Sequence, residues 1–347
     1  MRIGIAGIGF MGWIHWLAWK RVPGVEVAAI CSRDPLRRGG DWTGIQGNFG
    51  PPGEQVDLSG VTAFDNLNGL FADSSLDLVD LCLPPGMHAR ATIAALGQGR
   101  HVLCEKPMAL TLAECDQMMA AAEASDRRLL VAHVLPFFPE YAAVRELVDT
   151  GRYGRLLGGD FRRTISNPEW IDGFFDPRIV GGPLLDLHVH DAHFVRSLFG
   201  MPETVTGSGR LHNGLVEYFS SLFRYPNDEF TVACNGGVIN QQGRPFTHAF
   251  EIHFERATVQ FEFAACADEN ELMPLKILEA DGGVVRPDTG DGDPVNAFVD
   301  ELQDVANAIS GPAGDSGILD GMLARDAIRM CEATADSIDR SAPVALY

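Results

Sequence analysis

Arg2-Ile3-Gly4-Ile5-Ala6-Gly7-Ile8-Gly9-Phe10-Met11-Gly12, at the head of the chain, decides the fold. Its first five residues read as a short buried strand, and a helical pattern follows from Trp13 to Val22. The glycines between them have separate duties. Gly7 permits a tight turn, Gly9 lets backbone approach a pyrophosphate, and Gly12 lets the helix pack closely on the strand. With Phe10 and Met11 they form a turn that opens a helix, whose first N–H groups and partial positive charge suit phosphate. The stretch therefore predicts a dinucleotide site. Trp13, His15 and Trp16 are expected to pack the helix on the sheet, with a place for His15 close to the cofactor as the alternative.

Working outward, Val25 to Cys31 is an apolar run and reads as a second parallel strand, ended by Ser32-Arg33-Asp34. NAD-binding folds place an acid here to bond the ribose 2′-hydroxyl, whereas a small residue followed by arginine accommodates a 2′-phosphate. Ser32 and Arg33, with Arg37 and Arg38 one turn on, favour NADP(H), and NAD(H) stays possible because Asp34 argues the other way. A solvated charged loop is the plainer alternative. Gly39 to Gly60 has no sustained periodicity and reads as a long surface excursion. Asp65 to Ala72 is a short helix, Asp77 to Leu83 a buried strand ending at Pro84-Pro85-Gly86, and His88 opens a helix to Gln98. His101 to Cys104 is the next strand, Thr111 and Glu114 cap a helix to about Ala124, and Leu129 to Val134 closes the series. Apolar runs alternating with helices predict a doubly wound parallel Rossmann sheet over residues 1–130.

Beyond about residue 155 the pattern changes. Leu156 to Thr164, Thr204 to Leu211, Val216 to Tyr225, Phe230 to Ile239, Phe246 to Phe254 and Thr258 to Phe263 are strand-like and joined by short turns. Several alternate, which predicts a large open, mainly antiparallel sheet with one face to be covered by helices or another subunit. Helices over Asn296 to Ile309 and Ile318 to Ile338 complete an α+β domain over residues 131–347. Two domains suit 347 residues, since single cores rarely grow past about 250.

The 47 acidic and 27 basic residues give a net charge of −20, which repels nucleic acid and anionic membranes. Seven cysteines without paired spacing suggest reduced thiols in the cytoplasm. No signal peptide is legible, and no stretch approaches the roughly 20 apolar residues of a membrane span.

Two stretches carry chemistry. Cys104-Glu105-Lys106-Pro107 closes a strand at the carboxyl edge of the parallel sheet, where ligands bind in such folds, and Lys106 there can trade protons with a substrate hydroxyl. A surface lysine at a strand end is the rival. In Gly181-Gly182-Pro183-Leu184-Leu185-Asp186-Leu187-His188-Val189-His190-Asp191-Ala192-His193, a helix from Pro183 at 3.6 residues per turn puts Asp186, His190 and His193 on one stripe and His188 opposite. Asp186 can orient His190 as a general acid/base. The same three residues also suit a metal, and a buried His–Asp pair is the structural alternative. Arg163, Asn167 and Trp170 are candidates for substrate contact, or else a structured loop with a packing tryptophan.

Taken in order, Gly7-x-Gly9-x-x-Gly12, Pro84-Pro85-Gly86-Met87-His88, Glu105-Lys106-Pro107 and Gly181-Gly182 leading to Asp186-x-x-x-His190 resemble the Gfo/Idh/MocA oxidoreductases across essentially the full chain. The resemblance implies a nicotinamide cofactor and a sugar, polyol or sugar derivative whose secondary alcohol is oxidised or whose ketone is reduced. Lys106, Asp186 and His190 take the places of the family's catalytic residues and also face substrate. Pro84 and His88 match the loop beside the nicotinamide, with Glu105, Lys106 and Pro107 also at the cofactor. The open sheet resembles the interface of a homodimer or homotetramer. The family often has an acid where His193 stands. Two other readings stay open: a non-catalytic dinucleotide-binding sensor, and a metal-dependent enzyme using Asp186, His190 and His193.

Overall fold

A computed structural model describes residues 1–346 except 170, 172, 227–229 and 312–316. The chain divides into two compact units, Met1–Phe138 with Gly292–Arg325 and Pro139–Asp291 with Asp326–Tyr347. The helix read over Asn296 to Ile309 thus belongs to the unit that holds the parallel sheet.

In chain order, β1 (Arg2–Ala6), α1 (Phe10–Trp19), β2 (Glu26–Cys31), α2 (Pro35–Arg38), β3 (Thr62–Phe64), α3 (Leu67–Ala72), β4 (Leu78–Leu81), α4 (His88–Gly97), β5 (His101–Glu105), α5 (Leu112–Ser125) and β6 (Leu129–Ala132) form the alternating series. Next come α6 (Pro139–Thr150), β7 (Leu156–Ser166), α7 (Val189–Phe199), β8 (Thr204–His212), β9 (Leu215–Arg224), β10 (Thr231–Ile239), β11 (Phe246–Phe254), β12 (Ala257–Ala265), β13 (Glu271–Glu279) and β14 (Val284–Val285). The chain ends with α8 (Val295–Ser310), α9 (Gly321–Arg340) and β15 (Val344–Ala345).

The six strands of the first unit pair in parallel in the order β3-β2-β1-β4-β5-β6. That is the order of a doubly wound dinucleotide fold. Sequence reasoning passed over β3, which has only three residues, none of them buried. The starts of several helices follow local chemistry. Asn66 accepts the Gly69 N–H at 2.9 Å ahead of α3, and Thr111 accepts the Glu114 N–H ahead of α5, each satisfying a donor that the first turn leaves open.

The excursion from Gly39 to Gly60 is not confined to the surface. Trp42, Ile45 and Val56 are buried in the core with Trp13 and Trp16 of α1, and Trp13 Nε1 donates to the Pro51 carbonyl at 2.9 Å. Phe49 stacks on Phe298 of α8 at 5.6 Å. α8 packs on α1 through this same core, with Phe298, Leu302 and Val305 buried. Each such side chain contributes about 1.5–3 kcal/mol by leaving water. Periodicity missed the excursion because its apolar residues are held by tertiary contact and repeat at no fixed interval.

In the second unit nine strands pair in the order β14-β13-β12-β11-β7-β10-β9-β8-β15. The sheet is mixed, mostly antiparallel: β7 and β10 run parallel. α6 and α7 cover one face, where Tyr141 packs on Phe194 and Phe250, and Phe194 on Phe161. Side chains alternate along the second half of β9, so that Phe219, Ser221 and Phe223 are buried while Leu222 stays exposed.

Candidate active site

The glycine turn is built as a phosphate cradle. Gly7 has φ +96°, and a side chain there would run into the Cys82 carbonyl. A Cβ on Gly12 would run into the Gly7 carbonyl, which fixes how closely α1 crosses β1. Gly9 differs from both. It is the N-cap of α1, with no side-chain cap and no acid in the first turn, and a Cβ on it would stand in open space. The helix begins at Phe10 rather than Trp13, so the orphan N–H groups of its first turn face that opening. A pyrophosphate fits there, since among the described residues no side chain caps that helix end and no acid lies in its first turn.

This makes a sharp contrast between two substitutions. Gly9→Ala is expected to leave the melting temperature of the ligand-free protein within about 2 °C and to weaken dinucleotide binding at least about tenfold. Gly12→Ala is expected to unfold the first unit or abolish binding outright. Thermal melts and nicotinamide fluorescence titrations of the two variants check this.

At the end of β2, Ser32 Oγ accepts the Asp34 N–H at 3.2 Å, and Asp34 caps α2 by accepting the Leu36 N–H at 2.9 Å. The Asp34 carboxylate is thus committed to the helix, with Arg37 3.9 Å away. Arg38 folds back onto the Ser32 and Arg33 carbonyls at 2.7 and 2.9 Å. Arg33 is exposed and forms no ion pair among the described residues. Trp42 Nε1 donates to the Arg37 carbonyl at 2.7 Å, which fixes α2.

The ends of β4 and β5 are tied together. His88 is fully buried, with Nδ1 2.8 Å from the Pro107 carbonyl and Nε2 2.7 Å from the Leu83 carbonyl. Burial pulls its pKa below the ordinary range, against the pull of the two carbonyls. His88 therefore spends its ring on holding the Pro84 turn to the Glu105-Lys106-Pro107 segment. Lys106, half-buried just beyond β5, precedes a cis peptide bond to Pro107. Its backbone N–H is accepted by Glu105 Oε2 at 3.0 Å.

In the second unit, Leu184–His188 forms a π turn that runs into α7. Such turns bond i to i+5 and often mark functional positions. Asp186 and His190 stay half-buried, whereas His193 is fully buried, as is His188, whose ring lies 4.6 Å from Phe219. Among the described residues, the group of metal-ligand atoms lying within 4.8 Å of one another is His15, Asp80 and Cys82 of the first unit, and not Asp186, His190 and His193.

Arg163, expected at the substrate, is instead buried and spans both oxygens of Asp191 at 2.9 Å each. Burial opposes its charge, and Asp191 more than offsets that. Its guanidinium holds β7 to α7, a role invisible from spacing because the two residues are 28 positions apart. Asn167 is exposed and ties strands through its backbone, with its N–H donating to the Ile239 carbonyl at 3.0 Å. Trp170 lies outside the described residues.

His188 gives this unit a pH dependence. Burial, reinforced by Arg163 and opposed by Asp191, pushes its pKa from 6.5 down to about 4. Between those values the unfolded chain binds a proton that the folded chain refuses, so stability is kept above about pH 6.5 and lost as pH falls toward about 4. The full loss is about 3 kcal/mol. His188→Leu is expected to flatten this acid limb in part, because buried His88 and His248 are shifted the same way. Melting temperatures of both proteins from pH 7.5 to 4.5 check it.

With this geometry in hand, two family models match. The model described as "Oxidoreductase family, NAD-binding Rossmann fold" covers residues 1–133, and the "GFO/IDH/MocA C-terminal domain" covers 141–260. The chain belongs to the GFO/IDH/MocA oxidoreductase family. It is 26% identical over the whole of both chains to D-xylose 1-dehydrogenase (NADP(+)) 2 of Haloferax volcanii. Myo-inositol 2-dehydrogenase of Thermotoga maritima is 27% identical over 58% of this chain and 55% of its own. Among solved structures of this fold, aldose-aldose oxidoreductase from Caulobacter crescentus superposes with TM-score 0.80 at 19% identity, covering 99% of each chain. Levoglucosan dehydrogenase with NADH and L-sorbose gives 0.79 at 20%, covering 100% of this chain and 99% of its own. As a GFO/IDH/MocA protein the chain is an enzyme, a nicotinamide-dependent oxidoreductase. Among its described residues no helix is long and apolar enough to cross a membrane.

Proposed function

We propose that this GFO/IDH/MocA enzyme interconverts a secondary alcohol and a ketone on a sugar, polyol or sugar derivative, with NADP(H) as its preferred cofactor. The observation that carries the cofactor site is the uncapped start of α1 with open space beside Gly9. Ser32 in place of an acid, Arg33 left exposed, and Asp34 committed to capping α2 support a 2′-phosphate. The NADP(+) in the xylose relative's name agrees with that. Sugar and inositol substrates of the relatives support the substrate class.

The bound nicotinamide supplies the hydride chemistry, and the chain supplies position and proton transfer. Lys106 and His190 exchange the proton of the reacting hydroxyl, and Asp186 orients and charges the imidazole. His88 and Pro84 hold the turn before Lys106. We place the protein in a reducing cytoplasm, consistent with seven free cysteines. We also propose a homodimer or homotetramer formed through the bare face of the large sheet, where Leu222 is exposed.

A ligand panel tests this. NADP(H) is expected to raise the melting temperature more than NAD(H), a stabilisation of about 2.7 kcal/mol at a hundred times Kd. With the winning cofactor, sugars, inositols and their keto forms are then assayed by nicotinamide absorbance, D-xylose and myo-inositol first. A larger kcat/KM with NAD would reverse the cofactor assignment, and absence of turnover across the panel would retire the substrate class.

A further inference from the structure

The α1 side of the first unit's sheet holds buried polar groups that the proposed reaction does not use. His15 of α1 is fully buried, with Nδ1 hydrogen-bonded to Asp80 Oδ2 at 2.8 Å and Nε2 in an ion-pair contact, outside hydrogen-bond geometry, 3.0 Å from Glu105 Oε1. Trp19 Nε1 donates to the same Asp80 oxygen at 2.7 Å, and Cys82 Sγ donates to the other at 3.6 Å. Glu105 accepts the Lys106 N–H on its second oxygen, Oε2. Glu301 of α8 is fully buried with neither oxygen hydrogen-bonded, within electrostatic reach of His15, Glu105 and Asp80.

Two buried carboxylates flanking one imidazole need that ring charged, because an uncompensated buried charge is strongly unfavourable. Burial works against a proton on His15, yet the Asp80 carboxylate beside it more than reverses this and holds its pKa well above the ordinary range. On Glu301, burial raises the carboxyl pKa, with His15 opposing and Glu105 and Asp80 adding to it. Burial thus disfavours the charged form of Glu301, and the imidazolium faces Asp80 and Glu105. The 2.7 and 2.8 Å contacts converging on one Asp80 oxygen are hydrogen-bond distances, so this cluster holds protons where a metal would have to displace them.

We propose that His15 is a positioning residue: held between Asp80 and Glu105, its ring fixes the Glu105 carboxylate so that Oε2 grips the Lys106 amide and sets where the lysine leaves β5. The inference rests on Lys106 being the proton-exchanging group.

The test uses His15→Phe in the full-length protein. The Lys106 amide, read by hydrogen exchange in a peptide covering 104–108 where Pro107 carries no N–H, is expected to exchange about tenfold faster or more. kcat is expected to fall about 10- to 100-fold, with cofactor Kd and substrate KM changed less than about threefold. On a Lys106→Arg background the same substitution is expected to cost less than about threefold, as groups acting through one another are not additive. Unchanged Lys106 exchange in the folded variant overturns the proposal, and so does a kcat loss that simply multiplies with that of Lys106→Arg. Where His15→Phe fails to fold, the isosteric Asp80→Asn is read against the same two criteria. Full turnover in Lys106→Met would instead retire the reading of the lysine, while the exchange result judges the His15 network by itself.

Discussion

Lys106→Met is expected to lower kcat by about 10²–10⁴-fold, the usual worth of a positioned proton-transfer group, while the enzyme still binds its dinucleotide. The separation follows from where the two jobs are done. Phosphate recognition belongs to the start of α1 and the open space beside Gly9, none of which Lys106 builds. The backbone of Lys106 is held by Glu105 Oε2, and methionine keeps that N–H and nearly the same stem. What is lost is the ammonium group. Stopped-flow binding and steady-state turnover on one preparation measure both quantities, and a variant that binds cofactor and turns over at the parent rate removes Lys106 from the chemistry.

Breaking the Arg163–Asp191 pair is expected to be a severe change to the stability of the second unit. Removing one partner of a buried ion pair leaves the other charge uncompensated and costs about 3–5 kcal/mol. For a unit of this size that is about 6–20 °C in melting temperature. Arg163→Met and Asp191→Asn should both show it, because each oxygen of Asp191 takes a guanidinium nitrogen at 2.9 Å with little water near. Combining Arg163→Met with Asp191→Leu should recover much of the loss, since two apolar groups can replace a buried pair nearly neutrally. A double variant no more stable than the singles would show that the pair is not the source of the penalty. Had Arg163 been a free substrate contact, its loss would raise KM and leave the melting temperature in place.

The first unit was largely legible because its signals are local. The run from Arg2 to Gly12 encodes strand, turn and helix within eleven residues, and Gly12 answers to the Gly7 carbonyl five residues before it. The doubly wound order followed from apolar runs of about five residues alternating with helices. What escaped notice depends on partners far along the chain. Trp42 is buried by Trp13 and Trp16, Asp80 by His15 and Trp19, and β13 continues the large sheet past the last strand expected. At the second candidate stretch, Pro183 signalled the helix correctly. What no composition rule announces is the π turn at Leu184–His188 through which the chain enters α7.

Residues 292–325 complete the unit that Met1 begins. The ribosome therefore releases the dinucleotide fold unfinished. Until Phe298, Leu302 and Val305 emerge, the tryptophan-rich flank of α1 has only the Gly39–Gly60 excursion for cover, and translation must pass Val305 before that flank can close. Vectorial synthesis gives this enzyme no early, self-sufficient N-terminal half, and truncation at Phe138 removes the helix that seals its first core.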